Sequence, residues 1–187
     1  MKFKMIKYLS LIPLALAGML TPQSASAAVD CDTLPQFATV VMPDDTEVDI
    51  NQRHIFCGEV RDFRAVGFHA QPNGETPNTV DFDNLTWDIT YRIRVANQWV
   101  ANGIYEMRDF LIAEDGDTNV AYAKYRSTMF PDHCSKEDVL NAIAYAAVTP
   151  QGLSGQTCLT SQGLQFPVVV FWDQNGDYVD TAYPYVP

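Results

Sequence analysis

The first 28 residues constrain this chain most, because they have the layout of a secretory signal peptide. Lys2, Lys4 and Lys7 form a basic stretch, an apolar run covers Leu9–Leu20, and Ala25-Ser26-Ala27 is a small-residue cleavage site. The apolar run is too short for a comfortable membrane span. We therefore expect an exported protein, secreted or periplasmic, whose folded part begins after residue 28 and contacts no membrane.

All four cysteines lie beyond this leader, and an even number of cysteines in an exported chain indicates disulfide bonds. Three pairings of Cys31, Cys57, Cys134 and Cys158 are open. The shortest loops favour Cys31–Cys57 and Cys134–Cys158, and each bond would contribute about 3 kcal/mol to stability. Because exported cysteines pair, a thiol nucleophile is disfavoured.

The charge of the chain limits its partners. Residues 29–187 carry nine basic and 23 acidic residues, a net charge of −14, against −11 for the whole chain. Proteins that bind nucleic acids usually have a basic excess, because cations that neutralise phosphates supply much of the affinity. A nucleic-acid partner would therefore require a locally positive cleft on an acidic protein.

The remaining length suits one domain, placed at 50–187 and preceded by an irregular polar segment at 29–49. An apolar face at helical spacing predicts a helix capped by Ser135 and ended by Pro150. The other predicted elements are a hairpin at 55–69, a loop at 70–80, strands at 87–95, 104–113 and 120–129, and a hairpin of 166–172 and 178–185 around Asn175-Gly176. The fold class is α+β, mainly antiparallel sheets with few helices.

Two histidines are the first candidates for chemistry. His54 and His69 lie at the two ends of the predicted hairpin, so both imidazoles are expected to reach one cleft, whereas His133 reads as a surface loop residue. A pair of imidazoles suits acid–base chemistry at neutral pH, one accepting a proton and the other donating one. Cleavage of RNA needs such a pair, for the ribose 2′-OH and for the departing 5′ oxygen.

Lys124 is the candidate cation, since the phosphorane formed during RNA cleavage gathers negative charge. Strand alternation predicts that Lys124, Arg126 and Thr128 share one face. Thr181 and Tyr183 are predicted to share a face of the last strand, where an aromatic ring suits stacking on a base or ribose.

Other interpretations of these residues stay open. Each histidine alone is more often a hydrogen-bonded structural side chain. His54, Glu59 and His69 also form a legitimate metal set for a hydrolase, although their spacing matches no recognised zinc pattern. A non-catalytic secreted binding domain would account for the acidic charge.

Taken together, the segments resemble the bacterial EndoU nuclease family over roughly residues 50–187. Five segments carry the resemblance in order: His-Ile-Phe-Cys-Gly-Glu (54–59), Val-Gly-Phe-His (66–69), Gly-Ile-Tyr-Glu (103–106), Lys-Tyr-Arg-Ser-Thr-Met-Phe-Pro (124–131) and Gly-Asp-Tyr-Val-Asp-Thr-Ala-Tyr-Pro (176–184). The helix predicted after Ser135 also sits where the family has one.

The resemblance implies an endoribonuclease that leaves a 2′,3′-cyclic phosphate, often at uridine, with no cofactor and no metal ligand set. It implies that His54 is the general acid, His69 the general base and Lys124 the stabilising cation. Thr128, Thr181 and Tyr183 correspond to the substrate-binding positions. The implied partner is RNA, single-stranded or in a tRNA loop, and a toxin role is one use that the family suggests, with no immunity partner deducible. Six arginines near these motifs are expected to form a positive rim: Arg53, Arg61, Arg64, Arg92, Arg94 and Arg126.

Overall fold

The computed structural model describes residues 28–82, 87–95, 98–114 and 117–186, so the leader predicted at 1–28 lies, apart from Ala28, outside the described residues. The strands are β1 (Phe37–Val41), β2 (Glu47–Asn51), β3 (Glu59–Arg61), β4 (Arg64–Val66), β5 (Val80–Asp81), β6 (Trp87–Val95), β7 (Gln98–Glu114), β8 (Asp117–Met129), β9 (Val168–Trp172) and β10 (Val179–Pro184). The described helices are α1 (Gln52–Phe56) and α2 (Lys136–Val148), with a 3₁₀ turn at Pro72–Gly74. The predicted α+β class with mainly antiparallel sheets is confirmed.

Two sheets organise the chain. The first has the order β1-β2-β10-β9, and its β2–β10 pair, Ile50 opposite Val179, is parallel. The second joins β5, β7 and β6, with β8 paired to β7. Strands β3 and β4 form a separate small hairpin. The last strand therefore returns beside the first strands of the fold, which brings the C-terminal motif next to the segment that carries His54.

Helix α2 covers the first sheet and forms the main core with it. Ser135 caps the helix as predicted, in a capping box with Asp138, which satisfies two backbone amides that the helix leaves unpaired. Val139 and Ile143 lie on its buried face and pack in one cluster with β2 and β9. A second cluster around Phe68, together with its neighbours on β7, fills the space between the small hairpin and the second sheet.

Both expected disulfides form, and they confirm the pairing favoured by loop length. The Cα atoms of Cys31 and Cys57 are 5.8 Å apart, and those of Cys134 and Cys158 are 5.4 Å apart. The first bond fastens the N-terminal segment to the end of α1. In the described ranges, no helix is long and apolar enough to cross a membrane.

The predicted elements hold except near His54 and at the N-terminus. The hairpin expected at 55–69 is confined to β3 and β4, because the residues before it form α1 instead. The Asn51 side chain accepts a hydrogen bond from the His54 amide and so caps a short helix that apolar alternation does not reveal. The segment expected to be irregular at 29–49 contains β1 and most of β2, which pair from Phe37–Asn51 to Val41–Glu47.

Candidate active site

His54 is placed by α1 and by the chain that follows the small hairpin. The His54 amide donates a hydrogen bond to the Asn51 side chain. The His54 carbonyl accepts a hydrogen bond of 2.7 Å from the amide of Phe68. The side chain is only 5% exposed. Both backbone polar groups of His54 are therefore hydrogen-bonded. These bonds give the imidazole a defined position at the edge of the core.

His69 is brought to the same place by the segment that follows β4. Its amide donates to the carbonyl of Ile55 at 2.7 Å, so the two histidine segments are bound to each other directly. The two imidazole centroids are 5.9 Å apart. The hairpin itself is shorter than predicted, but the convergence expected from it is present.

The hydrogen bonds of His69 define which ring nitrogen carries its proton. Nδ1 lies 3.1 Å from the carbonyl of Thr128 and 3.0 Å from Oγ of Ser127. The Ser127 hydroxyl donates to the carbonyl of Phe68, so its oxygen has a lone pair left for His69. Both neighbours of Nδ1 are thus acceptors, which places the proton on Nδ1 and leaves a lone pair on Nε2.

Burial and neighbouring charge keep His69 neutral. Burial of the ring is the main cause that lowers its pKa well below the ordinary value, and the positive charges of His54 and Lys124 lower it further. The hydrogen bond to Thr128 opposes this shift without reversing it. A neutral imidazole with an available Nε2 lone pair is equipped to accept a proton.

Glu59 is the hydrogen-bond partner of the His54 side chain. Its Oε2 atom lies 3.4 Å from Nδ1 of His54. Burial raises the pKa of Glu59, but hydrogen bonding and attraction from His54 and Arg61 more than offset this, so the pKa is lower than usual. An ionised carboxylate only accepts hydrogen bonds, so Nδ1 of His54 is the donor in this contact.

Lys124 contributes a half-buried ammonium group close enough to His69 to influence its protonation. Burial lowers the pKa of Lys124 to about 8. None of the carboxylates in the described part of the chain forms an ion pair with it. At neutral pH this site therefore holds a cation whose charge is left for a ligand.

The strand alternation predicted around Lys124 is wrong. Lys124 lies opposite Phe110 and Ser127 lies opposite Met107, and both of these β7 residues belong to the second core cluster although their spacing is odd. Asp109, between them, has a positive φ of 56°, which interrupts the alternation. Ser127 contacts His69 for this reason, although regular alternation would point it away from Lys124.

Of the two residues expected to bind substrate on β10, Tyr183 lies beside His69. The ring of Tyr183 is 5.2 Å from that of His69 and 6.2 Å from that of Phe171, which is half exposed. The hydroxyl of Thr181 is buried and has no hydrogen-bond partner among the described residues. Thr128 is nearly buried, and its carbonyl is what contacts His69.

Comparison with known protein families identifies the family of this chain. The family model described as bacterial EndoU nuclease matches residues 49–186, which includes every motif and side chain described above. The chain belongs to the bacterial EndoU nuclease family. Comparisons with curated proteins and with solved structures gave no match. The protein is therefore a nuclease by family, and its active-site roles follow below as a proposal.

The metal-hydrolase interpretation finds no ligand set in this EndoU protein. His54 and Glu59 are in contact, but Nδ1 of His69 is taken by β8. Within the described ranges, no three side chains of His, Cys, Asp or Glu converge as metal ligands do.

Two of the six arginines expected to form a positive rim around the EndoU site are paired with carboxylates. Arg61 is bound to Glu59 and Asp180, and Arg126 is bound to Glu106, so neither contributes a full free charge. The side chains of Arg92 and Arg94 lie outside the described residues. His133, expected on the surface, is exposed and donates from Nε2 to the carbonyl of Leu159.

Proposed function

We propose that this EndoU protein is an exported endoribonuclease that cuts RNA, preferably at uridine, by transphosphorylation without a metal. The observation that carries the proposal is the pair of imidazoles 5.9 Å apart, of which His69 contacts a neutral carbonyl and hydroxyl and His54 contacts an ionised carboxylate. One ring is prepared to take a proton and the other to give one. Lys124 beside them supports a reaction in which negative charge develops.

His69 is proposed as the general base. Its Nε2 removes the proton of the ribose 2′-OH while the 2′ oxygen attacks the adjacent phosphorus. Its lowered pKa keeps the lone pair available at neutral pH, and the contacts of Nδ1 with Ser127 and Thr128 hold the ring in orientation. A ring already fixed in the reactive tautomer requires little reorganisation when the substrate binds.

His54 is proposed as the general acid. As the bond between phosphorus and the 5′ oxygen breaks, His54 donates its proton to that oxygen, so one product ends in a 2′,3′-cyclic phosphate and the other in a 5′-hydroxyl. Glu59 stabilises the imidazolium before the transfer. The Lys124 ammonium stabilises the phosphorane, and its charge is available because no carboxylate among the described residues pairs with it.

Three residues are proposed to bind the nucleotide that is cut. Tyr183 offers an aromatic face within 5.2 Å of the base histidine, which suits stacking against a ribose or pyrimidine. Thr181 has a buried hydroxyl without a partner, an energetically unfavourable arrangement that a rotation toward a bound ribose or uracil would relieve. Thr128 is proposed to contribute from β8, where its carbonyl already contacts His69.

Export and a toxin role complete the proposal. The two disulfides fit a protein that folds in an oxidising compartment, in the periplasm or outside the cell. A toxin that acts on RNA of another cell is the use that family membership supports. The alternative of a non-catalytic binding domain is disfavoured by the convergence of both imidazoles and the ammonium group, which mere binding does not require.

Cleavage of a chimeric oligonucleotide tests the function. The oxidised protein is incubated, with EDTA, with labelled DNA that contains one ribouridine, and the ends are identified by mass spectrometry. We expect a single cut after the uridine with a 2′,3′-cyclic phosphate, and no cut in the all-deoxy strand, which lacks the nucleophile.

Two variants accompany the assay. His69→Ala is expected to lower turnover at least about 10³-fold, because the base is lost. His133→Ala removes the exposed third histidine and should cleave like the unmodified protein. Cleavage of the all-deoxy strand, or activity that disappears in EDTA, would show that the mechanism is wrong.

A further inference from the structure

Arg61 lies between two carboxylates that come from distant parts of the chain. Its guanidinium bonds Oε2 of Glu59 from Nε and Nη2, at 2.7 and 2.6 Å. It also bonds both oxygens of Asp180, at 2.8 Å each. Asn51, the cap of α1, adds a contact to Asp180 at 3.4 Å. A planar guanidinium that holds two carboxylates at once is strongly constrained in orientation.

The two carboxylates belong to two different segments of the proposed site. Glu59 contacts His54 with the same oxygen, Oε2, that Arg61 holds. Asp180 immediately precedes Thr181 on β10, the strand that carries Tyr183. One arginine therefore connects the segment of the proposed acid with the strand of the proposed nucleotide site.

Sharing one carboxylate oxygen has an electrostatic consequence. Arg61 neutralises part of the negative charge that Glu59 presents to His54, so the imidazolium is held less tightly than by an unpaired carboxylate. Asp180 in turn offsets the charge of Arg61 and adds its own attraction for a protonated His54. The two residues thus act on His54 in opposite directions.

We propose that Arg61 and Asp180 are positioning residues that orient Glu59 and thereby set how readily His54 gives up its proton. The role rests on the proposed function, since it matters for catalysis only if His54 is the general acid. Neither residue is assigned a contact with the reacting atoms.

The charged groups around His54 predict in which direction each substitution changes its protonation. Glu59 and Arg61 reach it from β3, Asp180 from β10, and His69 from the neighbouring segment, with Lys124 beyond His69. Strand β1, which also packs against α1, carries no charged residue. Loss of Arg61 removes a cation from this set, and loss of Asp180 removes an anion.

The test is an NMR titration of the imidazole Hε1 signals in the full, oxidised protein without RNA. Arg61→Gln should move the midpoint of the His54 titration up by about 0.5 to 1 pH unit, and Asp180→Asn should move it down by a similar amount. His133, which is exposed and bonds the carbonyl of Leu159, serves as the internal reference. Opposite shifts are not expected if the two residues only support the fold.

Matched variants separate the network from general charge effects. Arg64→Gln removes an exposed arginine that lies opposite Arg61 in the β3–β4 hairpin. Asp62→Asn removes an acidic residue at the turn of this hairpin. Both should leave the His54 midpoint in place. Shifts equal to these controls, or in the same direction for Arg61→Gln and Asp180→Asn, would overturn the proposal.

A third variant separates charge from orientation. Arg61→Lys keeps the cation but cannot bond both carboxylates with a planar fork. We expect a His54 midpoint close to that of the unmodified protein and a turnover several-fold lower at unchanged KM. If the unmodified protein cuts RNA and Arg61→Lys has the same turnover, the positioning role of Arg61 is refuted. If the unmodified protein never cuts RNA, the proposed function is refuted. The NMR titration then still tests whether Arg61 and Asp180 act on His54.

Discussion

At the scale of single residues, the candidate site combines side chains whose surroundings push them toward different protonation states. His69 is buried among acceptors and neighbouring cations and stays neutral, whereas His54 faces a carboxylate. Lys124 is half-buried, and no carboxylate in the described ranges pairs with it. Its ammonium group is therefore destabilised in the folded chain, which is the usual physical cost of keeping a charge available for a ligand.

Lys124→Met tests this trade between stability and function. The folded pKa of about 8 lies below the usual 10.5, so the burial penalty is complete below pH 8 and disappears as pH rises toward 10.5. At pH 7 the variant should gain on the order of 1–3 kcal/mol of unfolding free energy, measured by urea titration, and lose most RNA cleavage. The stability gain should shrink above pH 8.

Lys136→Met is the matched control, since it alters the other lysine among residues 29–187. It should change neither property appreciably. Turnover of the unmodified protein should also decline above about pH 8, where Lys124 loses its proton. A Lys124→Met variant that is less stable at pH 7 would contradict the charge argument.

At the scale of elements, the site depends on the close approach of two backbone segments. Gly67 lies against α1 with a φ of +74°, and a Cβ built there would be 2.2 Å from the carbonyl oxygen of His54. This contact allows the Phe68 amide to reach the same carbonyl at 2.7 Å. Gly67 is therefore needed to keep the two imidazoles at their observed distance.

Gly67→Ala should consequently disrupt the site, because it adds a steric clash to the strain of a left-handed backbone. We expect a loss of more than about 3 kcal/mol of unfolding free energy and of measurable cleavage. Gly163→Ala is the control, since its φ is +73° but a Cβ there meets nothing within 4 Å. Equal destabilisation by both substitutions would mean that backbone strain alone, and not the approach to His54, explains the effect.

At the scale of the whole molecule, the site is assembled from the first and last parts of the domain. Strand β10 lies between β2 and β9, and Arg61 bonds Asp180 across 119 residues of sequence. The Cys31–Cys57 bond closes the same region, because it ends beside α1, three residues after His54. The second bond closes a loop of similar length near α2.

Removal of each disulfide distinguishes general stabilisation from support of the site. The pairs are separated by 26 and 24 residues, so replacing either with serines should cost a similar amount, about 3 kcal/mol by urea titration. Turnover measured at low temperature, where both variants are folded, should fall more for the Cys31–Cys57 variant. A larger loss for the Cys134–Cys158 variant would contradict this reading.

How much could be predicted from the sequence differs between the elements and the site. Strands β6, β8 and the C-terminal hairpin, the cap at Ser135 and the disulfide pairing follow from local alternation, capping chemistry and loop length. Helix α1 could not be predicted in this way, because a five-residue helix is defined by one cap and by its neighbours. Ser127 was missed because an interruption at Asp109, in the neighbouring strand, decides the local alternation.

The sequence by itself determined the family, the fold class and the types of side chain available for acid–base chemistry, since these depend on residue identity and short-range periodicity. Only the tertiary structure decided that Ser127 and the Thr128 carbonyl orient His69, that Arg61 binds Glu59 and Asp180 together, and that Lys124 pairs with none of the carboxylates that the structure describes. Such features arise from contacts between residues far apart in the chain, and the energy of those contacts depends on distances and burial that no local pattern encodes.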